Sequence, residues 1–206
     1  MSSKPKVILL CGKAGSGKSY ILNLIHNYYK ESSIINYLTL KTDRPPRLGE
    51  EHCIDYDFCT LNEFNQYKYL IKKGYSVGEG ENWQYWKYGL PVDAIKENKV
   101  NIGILDPESI LTLYESQKYD LQIIYIYAHP QLRIERQFNR AESTKEYSEI
   151  CRRFLNDEKD FKLLDKFNFI KIYNSYSEEN EGIGMHGVAL IYELIEEFAD
   201  DMGNMN

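Results

Sequence analysis

Apolar residues gather in four short runs, at 7–11, 102–105, 121–127 and 169–173, each bounded by turn or polar residues. Apolar runs of this length mark strands buried on both faces of a parallel sheet. Between the runs the spacing changes to three and four: Ile150 is followed by Phe154 and Leu155, and Leu190 by Leu194 and Phe198. Helices are therefore expected over 18–29, 130–140, 146–165 and 187–199. Strands alternating with helices after a glycine-rich first turn imply an α/β fold, a doubly wound parallel sheet flanked by helices. The stretch 40–90 breaks this rhythm, being rich in charge, aromatic residues, Pro and Gly. It reads as short strands with one helix near 61–72, inserted into the core as a separate lobe. The polar ends, 1–5 and 201–206, are expected to fray.

A length of 206 residues suits one domain of this kind with an insertion. The net charge of −6 argues against nucleic acid or an anionic membrane as partner, since both require a basic stripe. No apolar stretch approaches 18 residues, no signal peptide is visible, and Cys11, Cys53, Cys59 and Cys151 show no C-x-x-C spacing. A reducing, cytoplasmic setting without a zinc site or disulfide framework is the expectation. The 18 tyrosines are assigned mainly to packing, because the ring is buried while the hydroxyl stays wet.

The chemistry begins at residues 12–19, GKAGSGKS, a complete G-x-x-x-x-G-K-[ST] string directly after the first apolar run. Glycines at 12, 15 and 17 let the backbone curl so that amides cradle phosphate, and the following helix adds its positive N-terminal end. Lys18 is expected to reach the β- and γ-phosphates of a nucleotide and the Ser19 hydroxyl to join the shell of Mg²⁺. Gly12, Lys13, Ala14, Gly15, Ser16, Gly17, Lys18, Ser19 and Tyr20 thus form the expected donor-nucleotide set. No N-K-x-D string is present, which removes a GTPase of the same loop class.

A second cluster reads Thr42-Asp43-Arg44-Pro45-Pro46-Arg47-Leu48-Gly49-Glu50, followed by Asp55-Tyr56-Asp57-Phe58. Two arginines fixed by a Pro-Pro pair, with a tyrosine beyond them, suit a second phosphate, since guanidinium groups offer paired donors and a phenol adds one more. In these strings the chain resembles the guanylate kinases, whose pattern is T-T-R-x-P-R-x-G-E and then D-Y-x-F. The resemblance implies a core of 1–39, 91–135 and 154–206, a lobe for a nucleoside monophosphate (NMP) at 40–90, and a lid at 136–153. It implies transfer of the γ-phosphoryl group of MgATP to an NMP, GMP or dGMP first, with Mg²⁺ accompanying ATP.

On the acceptor side it implies Arg44, Arg47, Glu50, Tyr56 and Tyr88, with Glu79, or less directly Glu81, holding the guanine edge. Ile104-Leu105-Asp106-Pro107-Glu108 is similar to the family's L-D-x-D, which puts Asp106 near the base and Glu108 near the metal. Asp106 before Pro107 is equally good helix N-cap chemistry. Arg136, Arg140, Arg152 and Arg153 match lid arginines, Arg136 and Arg153 being assigned to catalysis with Lys18 and Arg44. Asn174 matches an asparagine near the adenine.

Departures from the pattern fall on base-reading positions. Leu40 and Leu90 stand where the family has hydroxyls, Cys53 replaces a glycine, and Asp43 replaces a threonine; Thr39 and Thr42 are the candidates to supply a missing hydroxyl. The phosphate-holding set is intact, so a kinase for another (d)NMP such as dTMP is the first alternative. A catalytically silent guanylate-kinase-like binding module is the second.

Overall fold

The computed structural model describes residues 4–46, 50–54, 56–77, 84–174 and 185–203. In chain order, β1 (Lys6–Cys11) leads through the glycine loop to α1 (Lys18–Tyr28) and then β2 (Ile35–Leu38). The insertion holds β3 (Lys41–Thr42), β4 (Asp57–Phe58), α2 (Leu61–Gln66), β5 (Tyr69–Val77) and β6 (Gln84–Pro91). The chain then returns as β7 (Val100–Ile104), α3 (Pro107–Ser116), β8 (Asp120–Tyr127), α4 (Pro130–Phe138) and α5 (Thr144–Asp160). A 3-10 turn (Phe161–Lys166), β9 (Ile170–Tyr173) and α6 (Met185–Gly203) complete it.

Five parallel strands lie in the order β2-β7-β1-β8-β9, with Leu10 of β1 in register with Ile104 on one side and Ile124 on the other. Successive side chains of a strand point to opposite faces, and β1 feeds two cores accordingly. Ile8 and Leu10 pack with Ile21 and Ile25 of α1 and Ile191 and Ile195 of α6. Val7, Leu9 and Cys11 pack with Ile110 and Leu113 of α3 and with Leu164 and Phe167. This is the expected doubly wound sheet. No described helix is long and apolar enough to cross a membrane.

Two elements escape the apolar-run reading. β2 is an edge strand with only its first and last residues buried, so Asn36 and Tyr37 interrupt any run. α3 is ten residues long and was signalled only by the possible cap at Asp106. The expected helix at 61–72 is also corrected: α2 ends at Gln66, and Tyr67 is extended, with φ −92° and ψ 150°. Its start is well specified, since Thr60 and Glu63 form a capping box. It stops because Phe64 and Tyr69 stack face to face at 4.5 Å, a contact made by folding the chain back rather than by continuing it. β5 then pairs antiparallel with β6 in a second sheet of order β4-β3-β6-β5, so the insertion's main strands are long rather than short. Gly89 is needed there, because a Cβ would lie 2.3 Å from the Tyr69 ring. The helix expected at 146–165 is α5 followed by the 3-10 turn.

Candidate active site

The glycine loop lies between the end of β1 and the start of α1. Gly15 and Gly17 have φ of 78° and 91°, where a side chain is strained. Space is closed as well: a Cβ on Gly15 would lie 2.4 Å from the Arg133 carbonyl, and one on Gly17 2.0 Å from the Asn174 amide nitrogen. The loop's carbonyls are held from outside. Ala14 O accepts Arg133 Nε at 3.0 Å and Gln137 Nε2 at 3.4 Å, Gly15 O accepts Arg136 Nη1 at 3.3 Å, and Ser16 O accepts Asn174 Nδ2 at 2.7 Å. The amides of Gly15, Gly17, Lys18 and Ser19 have no hydrogen-bond acceptor among the described residues. Unpaired amides at a helix N-terminus form an anion site.

Lys18 donates to Lys13 O at 3.3 Å. Burial lowers its pKa to about 8, against the pull of Asp157 and with the push of Arg133 and Arg153. Burial also drives the Cys11 thiol up to about 12, which leaves it neutral under the loop. Ser19 and Tyr20 are exposed at the mouth. The Ser19 hydroxyl has no protein partner among the described residues, as a hydroxyl offered to a nucleotide-bound cation requires.

Asn174 is 1% exposed and binds the loop from behind; its backbone carbonyl accepts Arg136 Nη2 at 3.3 Å. In this geometry the side-chain amide nitrogen shapes the loop, while its Oδ1 has no hydrogen-bond partner among the described residues. Arg136 likewise caps the loop's outer side through Gly15. Farther along α5, Arg152 and Arg153 share one carboxylate, Glu149, with contacts of 2.7 and 2.8 Å. Burial tends to raise the Glu149 pKa, but hydrogen bonds from the two arginines prevail and hold it low. Arg140 is exposed beyond the end of α4.

In the second sheet, Arg44 is 6% exposed and every one of its nitrogens is engaged. Nε donates to the Tyr88 hydroxyl at 3.0 Å, Nη1 to Pro45 O at 2.8 Å and Nη2 to Glu50 at 2.9 Å. The guanidinium lies 5.3 Å from the Tyr56 ring centroid, and Tyr56 meets Tyr88 edge-on at 5.7 Å. Arg44, Glu50, Tyr56 and Tyr88 are therefore brought together as expected. Arg47, Glu79 and Glu81 lie outside the described residues.

Asp106 takes up the helix-cap role that its place before Pro107 fits. Its carboxylate caps α3, accepting the Glu108 amide at 3.1 Å and the Ser109 amide and hydroxyl at 3.0 and 2.7 Å. It also pairs with Lys73 of β5. Burial works against that charge, yet Lys73 and the Ser109 donors keep the Asp106 pKa below the usual carboxylate range. Lys73 reaches Glu108 as well, at 2.8 Å.

The departures find physical accounts. Leu40 and Leu90 pack into the apolar cluster around Leu9 and Ile71. Cys53 has φ 66°, the left-handed conformation that glycine adopts without strain. Asp43 accepts the Lys87 amide at 2.7 Å, and the fully buried Thr42 hydroxyl donates to Lys87 O at 2.8 Å, so neither is free to read a base. Thr39 is half-buried, and its hydroxyl donates to Cys53 O at 3.5 Å.

Arg133, Gln137, Asp157, Glu158 and Lys73 went unnoticed in the sequence. A signal existed for Arg133, an arginine at an otherwise inward position of α4, three residues before Arg136.

A family model described as "Guanylate kinase" matches residues 4–180. A guanylate kinase of Shouchella clausii (strain KSM-K16) is 33% identical over 100 residues, which span 48% of this chain and 45% of that protein. A guanylate kinase of Chlamydia muridarum (strain MoPn / Nigg) is 28% identical over 149 residues, 69% of this chain and 67% of that protein. One of Sus scrofa is 28% identical over 133 residues, 61% of each. The chain thus spans about half the length of the first of these relatives and roughly two thirds of the others. The crystal structure of guanylate kinase from Anaplasma phagocytophilum aligns with 100% of this chain and 88% of that one, with a TM-score of 0.53 and 17% identity, which is a likeness of fold. Because the matched region runs through the glycine loop, the Arg44 cluster and Asn174, the chain belongs to the guanylate kinase family.

Proposed function

We propose that this protein transfers the γ-phosphoryl group of MgATP to a nucleoside monophosphate, GMP or dGMP in the first place. The observation that carries the reading is the pairing of two anion sites of different build: a loop of unpaired amides beside Lys18, and a buried Arg44 ringed by the Tyr56 and Tyr88 phenols. One suits a triphosphate and the other a single phosphate. An ATP-bound Mg²⁺ supplies charge neutralisation, and Ser19 is the residue offered to it. Lys18 and the arginines of α4 and α5 orient the donor, and Arg44, Tyr56 and Tyr88 hold the acceptor in line; no covalent intermediate or general base is required. The insertion at 40–90 acts as acceptor lobe and the segment 136–153 as lid, closing to exclude water.

A second acceptor class is favoured by particular residues. Leu40 and Leu90 present no hydroxyl, and the Asp106 oxygens are engaged by α3 and Lys73. A kinase for a pyrimidine monophosphate such as dTMP has the same phosphate machinery without that base reading. Initial rates of ADP formation with MgATP across the common NMPs and dNMPs decide between them. Turnover with GMP and dGMP above all others is expected. Turnover confined to pyrimidines replaces the guanine reading, and tight GMP binding with no GDP formed makes the chain a binding module.

A further inference from the structure

Residue 14 is where the glycine loop is held hardest. Arg133 of α4 donates through Nε to the Ala14 carbonyl at 3.0 Å, and Asp157 of α5 accepts the Ala14 N–H at 2.6 Å. These two side chains also face each other, Nη2 to Oδ2 at 3.5 Å. Both backbone polar groups of one residue therefore end on the opposite poles of an ion pair drawn from two helices. The neighbouring Glu158 accepts Arg133 Nη1 at 3.4 Å and Lys13 Nζ at 2.5 Å, which ties the loop's second residue to α5 as well.

Arg133 is 2% exposed and lies 4.9 Å from the Phe154 ring centroid. Burying a guanidinium in this way is expensive, and an apolar side chain of similar volume commonly serves packing as well or better. Its Nη2 makes no hydrogen bond among the described residues. A buried cation left partly unsatisfied points to a use other than stability.

We propose that Arg133 and Asp157 are positioning residues that set the first turn of the glycine loop and couple it to α5, the helix that carries Arg152 and Arg153. α5 is continuous from Thr144 to Asp160, so a displacement of its first half is carried along a rigid element to Asp157 and from there to Ala14. The inference rests on the reading of the loop as the ATP phosphate site.

MgATP binding, measured by calorimetry without acceptor, is compared across Arg133→Met, Arg133→Lys, Asp157→Ala and Asp157→Asn, together with the KM for each substrate. Arg133→Met and Asp157→Ala are expected to weaken MgATP about tenfold, the size of one charge-assisted hydrogen bond, and to leave the acceptor KM unchanged. Arg133→Lys and Asp157→Asn keep a donor for the carbonyl and an acceptor for the amide, and should recover most of the loss. A purely structural role would lower Tm and weaken both substrates alike, without that rescue. MgATP affinity within twofold of the unaltered chain in Asp157→Ala overturns the proposal, and that variant decides the matter if Arg133→Met does not fold. If the unaltered chain binds MgATP but transfers no phosphate, the reaction assigned above falls while the binding comparison still decides this inference. No MgATP binding at all overturns both.

Discussion

Arg44 has no idle nitrogen, so on the proposed reading an acceptor phosphate must displace existing partners, Glu50 and the Pro45 carbonyl among them, to reach it. Such a pre-formed cage holds the guanidinium in one place and lowers the ordering cost when the ligand arrives. Arg44→Ala removes a charge-assisted contact and leaves Glu50 short of a partner. A loss of about 1.5–3 kcal/mol of acceptor binding is expected, seen as a raised acceptor KM with MgATP affinity unchanged. An acceptor KM that stays put would remove Arg44 from the site. At this scale the sequence was legible where residue type alone determines the chemistry: Lys18, Arg44, Tyr56 and Tyr88 stand where the motif put them. It was not legible where a side chain has two equally good uses. Asp106 followed by Pro107 fits a base contact and a helix cap alike, and only the structure shows that the cap is made, by the Ser109 donors, and joined by Lys73.

Among the elements, α3 illustrates how one carboxylate can do two structural tasks. Asp106 begins the helix and, through Lys73, fastens β5 of the small sheet to the end of β7. Asp106→Ala removes the cap and leaves the Lys73 ammonium with Glu108 alone. About 1 kcal/mol of stability should be lost for the cap, which for a chain of this size corresponds to a Tm lower by about 2–4 °C. Asp106→Asn should recover much of it, because an amide oxygen still accepts the Ser109 N–H; equal Tm values for the two variants would deny the cap its role. Periodicity found the elements whose faces are uniform, such as β1 and α6. It failed at β2 and at residues 67–72, where an edge position or an aromatic contact between neighbours outweighs the local pattern.

The molecule as a whole carries an uneven set of titrating groups. Burial raises the Cys11, Tyr37 and Tyr125 pKa values to about 12 and pushes Tyr29 and Tyr69 up as well. For these acids the folded chain keeps protons that the unfolded chain has already released above its ordinary values of 9.0 for a thiol and 10.0 for a phenol. Folding stability therefore falls as pH rises through that range. Lys18 acts in the opposite sense: its folded pKa of about 8 lies below the ordinary 10.5, so it adds stability as pH rises between the two. One lysine opposes several phenols and a thiol. Tm should hold near pH 8–9 and fall steeply above about pH 10; exposed tyrosines ionise in the folded chain, whereas the tyrosinate absorbance of Tyr29, Tyr37, Tyr69 and Tyr125 should appear only with unfolding. Ionisation of all 18 tyrosines before unfolding would show that the buried hydroxyls are open to solvent in the folded chain.

The two sheets are joined in the chain by only two crossings, from β2 into β3 and from β6 into β7, and they share no strand ladder. Backbone pairing therefore leaves the small sheet a unit of its own among the described residues. A movement of it toward the glycine loop breaks no rung of the parallel sheet; what it must slide past is the packing of Ile71 and Leu90 against the cluster around Leu9, and what it must release is the Lys73 bridge. Such a contact can reform with different partners at each stage of opening and closing, whereas a ladder of backbone bonds would have locked the cleft in one state.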